Sequence, residues 1–216
     1  MIKLYHKQPD WKWLFVDSIL RHHDYKSFLE LGVGDQGGAI SMVECDFKVG
    51  VDSDPSVKHS YDDVVCKTTD EYFESIDIDK KFDLIYIDAC HEKYQAARDF
   101  INSFRCLNKD GIIIFHDINP TCEDDVEASG SGDVYEFWIR MCEYYKSNIN
   151  VVLQPEEHAK FYEQLGLSYF SDCVGLFFKK SMKSVDDKLF NDMNYSYEYF
   201  DQNRNKFIRK GDLTGI

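Results

Sequence analysis

This sequence predicts an α/β domain whose parallel sheet is covered by helices on both faces. Three observations carry that reading. Short apolar runs alternate with helical patterns along most of the chain. One run, Ile112-Ile113-Ile114-Phe115, is apolar at consecutive positions, as expected of a central strand buried on both sides. Another run ends in a glycine-rich turn.

The elements follow in order. Pro9-Asp10 is a helix-start signal, and Trp11, Leu14, Phe15, Ile19 and Leu20 then share one helical face. This helix is expected to lie across the edge of the domain. Five strand-like runs come next: 27–31, 47–51, 63–66, 82–87 and 111–115. Helical patterns lie between several of them, at 38–44, 70–75 and 92–107. The acidic stretch 121–133, with Gly130 and Gly132, has no periodicity and reads as a mobile loop. A helix from 133 to 146, two strand-like runs (149–153 and 173–178) and an aromatic helix over 195–209 complete the chain.

The 216 residues suit one domain, 1–216, with an N-terminal helix in 1–24, a candidate lid at 118–132 and a helical tail in 195–216. The formal charge of −14 and the absence of a basic stripe argue against a nucleic-acid partner. No apolar run is long enough to span a membrane, and the first residues lack the apolar core of a signal peptide. Seven cysteines, an odd number without a C-x-x-C pair, fit a reducing, cytoplasmic setting. The aromatic tail (Tyr195, Tyr197, Tyr199, Phe200) is suited to cover its own core or that of a second copy in a homo-oligomer.

The most informative stretch is Phe28-Leu29-Glu30-Leu31-Gly32-Val33-Gly34-Asp35-Gln36-Gly37-Gly38, a strand running into G-x-G-x-x-G and then a helical pattern. Asp52 follows Gly32 by twenty residues at the end of the next strand, where an acid accepts hydrogen bonds from ribose hydroxyls. Together these features point to an adenosine ligand. Glu30 and Asp35 at the loop, with Asp88 and Asp117 ending later strands, would repel a pyrophosphate. They suit a ligand bearing an ammonium and a sulfonium, S-adenosylmethionine. A nicotinamide-dependent oxidoreductase and a non-catalytic adenosine-ligand-binding module are the alternatives.

Glu30-Leu31-Gly32-Val33-Gly34 resembles the first motif of class I S-adenosylmethionine methyltransferases. The stretches Phe82 to His91 and Gly111 to Asp117 are similar to fourth- and fifth-strand motifs of a bacterial small-molecule subgroup, the methyltransferase 24-like domains. Gly132 to Tyr135, Asp172 to Gly175 and Tyr197 to Arg204 extend the likeness. The resemblance implies a Rossmann-like three-layer sandwich with seven strands, mostly parallel, the last antiparallel. It implies that Glu30, Gly32 and Gly34 flank the methionine part of the donor and that Asp52 holds the ribose. Ser53 follows Asp52 on the donor side. Thr68 and Thr69 would lie near the adenine, and Asp88 near the methionine amine or a metal.

His91 follows Asp88 by three residues and stands where catechol-type enzymes carry a lysine base. Imidazole titrates near neutral pH and suits that work on a hydroxyl of a small metabolite or sugar. Asp88, His116 and Asp117 form a candidate set for a divalent metal such as Mg²⁺, with His116 and Asp117 otherwise orienting the acceptor. The residue after Asp117 is Ile118 where catechol-type enzymes have Asn, and Asn119 is displaced by one position.

Overall fold

The computed structural model describes residues 10–35, 37–77, 79–127, 130–154, 173–180 and 182–208, without the side chains of 59 and 60. His6, Gln36, His158, Asp172 and the end of the expected tail lie outside these residues, as does the His59 side chain.

Seven strands form one sheet: β1 (Ser27–Leu31), β2 (Phe47–Asp52), β3 (Val64–Cys66), β4 (Phe82–Ile87), β5 (Leu107–Phe115), β6 (Ile149–Leu153) and β7 (Cys173–Phe178). Their spatial order is β3-β2-β1-β4-β5-β7-β6. The first five run parallel, and β7 is antiparallel to both neighbours. The alternation of apolar runs and helices predicts the parallel part of this sheet, and the resemblance implies its Rossmann-like seven strands with the last antiparallel. The chain starts at β1, winds outward to β3, then crosses back to β4. The carboxyl ends of β1 and β4 therefore border a crevice, the usual ligand position in such sheets.

Helices α1 (Trp11–His22), α2 (Pro55–Ser60), α3 (Thr69–Ser75), α4 (Lys93–Cys106), α5 (Val134–Tyr144) and α6 (Tyr197–Phe207) cover the two faces. One core joins Trp11, Val16, Ile19 and Leu20 of α1 to Leu84, Tyr86, Ile112 and Ile114 of the central strands. The other gathers Phe100, Phe104, Phe137, Trp138 and Phe200 around Ile85, Ile113 and Phe177. The Trp138 indole N–H donates to the Phe207 carbonyl at 3.0 Å and ties α6 to α5.

Four expectations need correction. Helix α1 packs on a sheet face, not across an edge, and buries Val16 where Leu14 was expected; Leu14 is exposed. The helix expected at 38–44 is only a 3-10 turn, Ala39–Ser41. The Lys48 ammonium donates to the Ile40 and Val43 carbonyls, so these oxygens do not continue a helical ladder. The run after α4 is already strand at Leu107, which pairs with Phe82 before a bulge restores the register at Leu84 and Ile112. Helix α2 has no counterpart among the expected elements, although Asp54 caps it and Pro55 opens it.

Candidate functional site

Parallel pairing brings three chain segments to one rim. The Asp88 amide donates to the Leu31 carbonyl at 2.8 Å, and the His116 amide to the Ile87 carbonyl at 3.0 Å. The ladder thus extends one residue past β4 and β5 and sets Gly32, Asp88 and His116 side by side. Gly32 has φ +84, and a Cβ there would lie 1.9 Å from the Asp88 carbonyl oxygen. Only glycine fits this approach.

On the β1–β2–β3 side lies a pocket of about 400 Å³ lined by Gly32, Asp52, Ser53, Thr68, Thr69 and Gln95, among others. Its walls are built from strand ends and helix starts. One Asp52 carboxylate oxygen accepts from the Val33 amide at 3.0 Å and the Gly34 amide at 2.8 Å. The other accepts from Asp54 at 2.8 Å. The acid at the end of β2 therefore shapes the glycine loop. Thr68 caps α3 in a reciprocal box with Glu71. Gln95, in the first turn of α4, donates to Thr69, Asp70 and Asp99 at 3.0, 3.2 and 3.0 Å. Burial pushes the Asp99 carboxyl up to about 6.

Glu30 lies beneath the loop, fully buried, and accepts from the Ala39 and Ile40 amides at 2.8 and 2.6 Å. Burial pushes its carboxyl up to about 8 against those two bonds, with the Asp88 and Asp52 charges adding to the rise.

Beside β4 and β5 the charged side chains converge. His116 Nδ1 lies 3.1 Å from Asp88 and 2.9 Å from Asp117. His91 Nε2 lies 3.0 Å from the same Asp117 oxygen and 3.9 Å from Asp88. His91 Nδ1 meets the Gly130 carbonyl, which fixes the ring. Gly132, φ +60, lets the chain pass against His91, where a Cβ would come within 1.8 Å of the His91 carbonyl oxygen. The Tyr86 hydroxyl donates to Asp88 at 3.1 Å. From α1, Lys12 Nζ reaches His116 Nε2 at 2.7 Å. Desolvation opposes charging of Asp88, yet the His116 charge and hydrogen bond outweigh it and hold the carboxyl well below the usual range. Burial likewise opposes the His116 imidazolium, but Asp117 and Asp88 together hold its pKa well above the ordinary value. Asp117 has φ 58, a left-handed conformation that costs a non-glycine residue about 1–3 kcal/mol and is common at functional sites.

Residues 29–118, from β1 to just past β5, match the family model described as a methyltransferase domain. The fold is that of the class I S-adenosylmethionine-dependent methyltransferases. An O-methyltransferase of Streptomyces achromogenes involved in tomaymycin synthesis, solved with S-adenosylmethionine, is 13% identical at a TM-score of 0.58, covering 80% of this chain and 81% of its own. An O-methyltransferase from Bacillus cereus, solved with S-adenosylhomocysteine, is 13% identical at 0.52, covering 81% and 84%. The spermidine synthase of Thermotoga maritima is 18% identical at 0.52, covering 85% of this chain and 65% of its own. No curated protein matches the sequence.

Within this fold, Gly32, Asp52, Ser53, Thr68 and Thr69 line the larger pocket. Gly34 sits on the loop above it, its amide turned to Asp52. Glu30 supports the loop from below. Asp88 stands with His91, His116 and Asp117 around a second, much smaller cavity. Sequence reasoning missed Lys12, Gln95 and the Gly130 carbonyl. Gln95 and Lys12 sit on helices in patterns that read as ordinary amphipathic faces, and a backbone carbonyl leaves no sequence signal. The Asn119 side-chain oxygen accepts from Arg204 of α6, and Ile118 is buried.

Proposed function

We propose that this chain is an O-methyltransferase that moves the methyl group of S-adenosylmethionine to a hydroxyl of a small molecule. The pairing of His91 with Asp117 beside the larger pocket carries the reading. The pocket is of nucleoside size, and Asp52, Thr68, Thr69 and Gln95 offer polar groups around it. They fit an adenosine ligand. When bound, the donor supplies a methyl group activated on a sulfonium.

The residues of this chain do the rest. Methyl transfer is an in-line displacement, so the protein's main task is alignment. A hydroxyl acceptor must also lose a proton. His91 Nδ1 donates to the Gly130 carbonyl, so Nε2 and the Asp117 carboxylate 3.0 Å from it act as one pair: the hydroxyl proton comes to rest on Nε2, between ring and carboxylate, and Asp117 balances the imidazolium that forms. Asp88 and Asp117 add negative potential on the side facing a cationic donor. A nicotinamide dinucleotide is disfavoured because Asp52 occupies two amides of the glycine loop that would meet its pyrophosphate. A module that binds adenosine ligands without catalysis predicts donor binding with every acceptor inert.

The test is calorimetric titration with S-adenosylhomocysteine, followed by radiolabelled methyl transfer to a panel of small phenols, sugars and other hydroxylated metabolites. His91→Gln is expected to keep S-adenosylhomocysteine affinity and to lose about 10²–10⁴-fold in transfer rate. Full activity in that variant would remove His91 from the mechanism.

A further inference from the structure

We infer that Asp99 is a positioning residue of the larger pocket, an internal carboxylate that anchors the Gln95 amide across from α4 to the start of α3. The inference rests on the donor reading proposed above, because it concerns the wall against which the nucleoside end of the donor packs.

Two helix starts form that wall. Thr69 and Asp70 open α3, Gln95 lies in the first turn of α4, and all three line the pocket. One amide joins them. Gln95 Nε2 lies 3.0 Å from Thr69 Oγ1 and 3.2 Å from Asp70 Oδ1 across the gap, and 3.0 Å from Asp99 Oδ1 one turn along its own helix. Its carbonyl oxygen accepts from the Arg98 guanidinium, which also lies 3.5 Å from Asp70. The amide is thus oriented from both ends: a cation holds its oxygen and a carboxylate its nitrogen. Turned over, it would set its N–H groups against Arg98 and its oxygen against two acids.

Asp99 does not line the pocket. It is 1% exposed, on the buried face of α4 with Ala96, Phe100 and Ser103. Its Oδ2 has no hydrogen-bond partner among the described residues. A buried acid with an unfilled oxygen costs stability. The hydrogen bond that its Oδ1 accepts fixes a residue of the pocket wall. The charged and titratable groups that face it are Asp70 from α3, Arg98 from its own helix and the Cys90 thiol from the turn after β4. Burial raises its carboxyl to about 6; the polar groups of Thr69 and Gln95 oppose the rise, and Asp70 adds to it. A hydrogen bond to a charged group is about twice as strong as one to a neutral group. The anchored wall therefore favours the carboxylate, and a ligand packed on that wall favours it further. By linkage, affinity for that ligand is gained as pH rises through about 6 and lost as pH falls below it.

The test is calorimetric titration with S-adenosylhomocysteine from pH 5.5 to 7.5, on the wild-type chain, Asp99→Asn, Gln95→Met and the double variant. This probe lacks the sulfonium charge, so it reports the wall without a pull from the donor's own cation. Asparagine keeps the size and offers a neutral acceptor. At pH 7.5 Asp99→Asn is expected to bind about fivefold more weakly than wild type, and the ratio to shrink toward one as pH falls. Taking the ratio removes the contributions of Glu30 and the histidines, which both chains share. Gln95→Met is expected to show the same pH-dependent loss, and the double variant no more of it than Gln95→Met alone. A ratio that is constant with pH, or additive losses in the double variant, overturns the inference even if Tm falls, because packing alone would give that result. Should Asp99→Asn not fold, the wild type against Gln95→Met decides on the same terms. Absence of S-adenosylhomocysteine binding by wild type at every pH sinks the donor reading and this inference together. Binding without the pH-dependent ratio sinks this inference alone.

Discussion

Glu30→Gln tests how the glycine loop is supported. The wild-type carboxyl is fully buried and accepts two backbone amides, and its pKa rises from 4.5 to about 8. A carboxyl with a raised folded-state pKa binds its proton more tightly in the folded chain than in the unfolded chain. Its contribution is most favourable below about pH 4.5 and is lost as pH rises through about 8. At about 1.4 kcal/mol per pH unit, the loss across that window is on the order of 5 kcal/mol. Glutamine does not titrate. Its amide keeps one acceptor but turns an N–H toward the second backbone amide, a mismatch of about 1–3 kcal/mol. The variant is therefore expected to be less stable than wild type near pH 5 and more stable near pH 8. Urea denaturation from pH 5 to 8.5, followed by the fluorescence of the buried Trp11 and Trp138, measures the difference. Asp99, raised to about 6, bends both curves in the same direction and cancels on subtraction. Parallel stability curves for the two proteins would refute the reasoning, because they would mean that Glu30 is already ionised at no cost.

Other expectations follow from close contacts at the site and the tail. Gly32→Ala places a methyl against the Asp88 carbonyl and should abolish S-adenosylhomocysteine binding in calorimetry while lowering Tm. Asp52→Ala frees the Val33 and Gly34 amides and removes the acid from the larger pocket; S-adenosylhomocysteine affinity is expected to fall at least about tenfold. Wild-type affinity in that variant would mean that Asp52 does not serve the ligand. Trp138→Phe loses the bond to the Phe207 carbonyl and should cost about 1–3 kcal/mol. Amide exchange in α6 is expected to accelerate; an unchanged exchange pattern would show that α6 is held by its other contacts, such as Phe200 against Tyr135.

Much of this protein is written locally. Consecutive apolar residues at 112–115 demand burial on both sides, and alternation with helices then demands a parallel sheet. Gly32 and Asp52 are legible because a sharp turn and a terminal acid depend on residues near in sequence. The short turn at Ala39–Ser41 was not, because Lys48 withdraws its carbonyls from a strand away. Around the smaller cavity the sequence determined residue types at the strand ends: Asp88, His91, His116 and Asp117. It did not determine their partners. Lys12 is 104 residues from His116, and Arg204 is 85 from Asn119. Both contacts arise only when α1 and α6 dock on the sheet. Local pattern reports a side chain's backbone state and average burial, but which charge faces which is set by long-range packing. That packing brings a lysine to the two acids and two histidines and an arginine to Asn119.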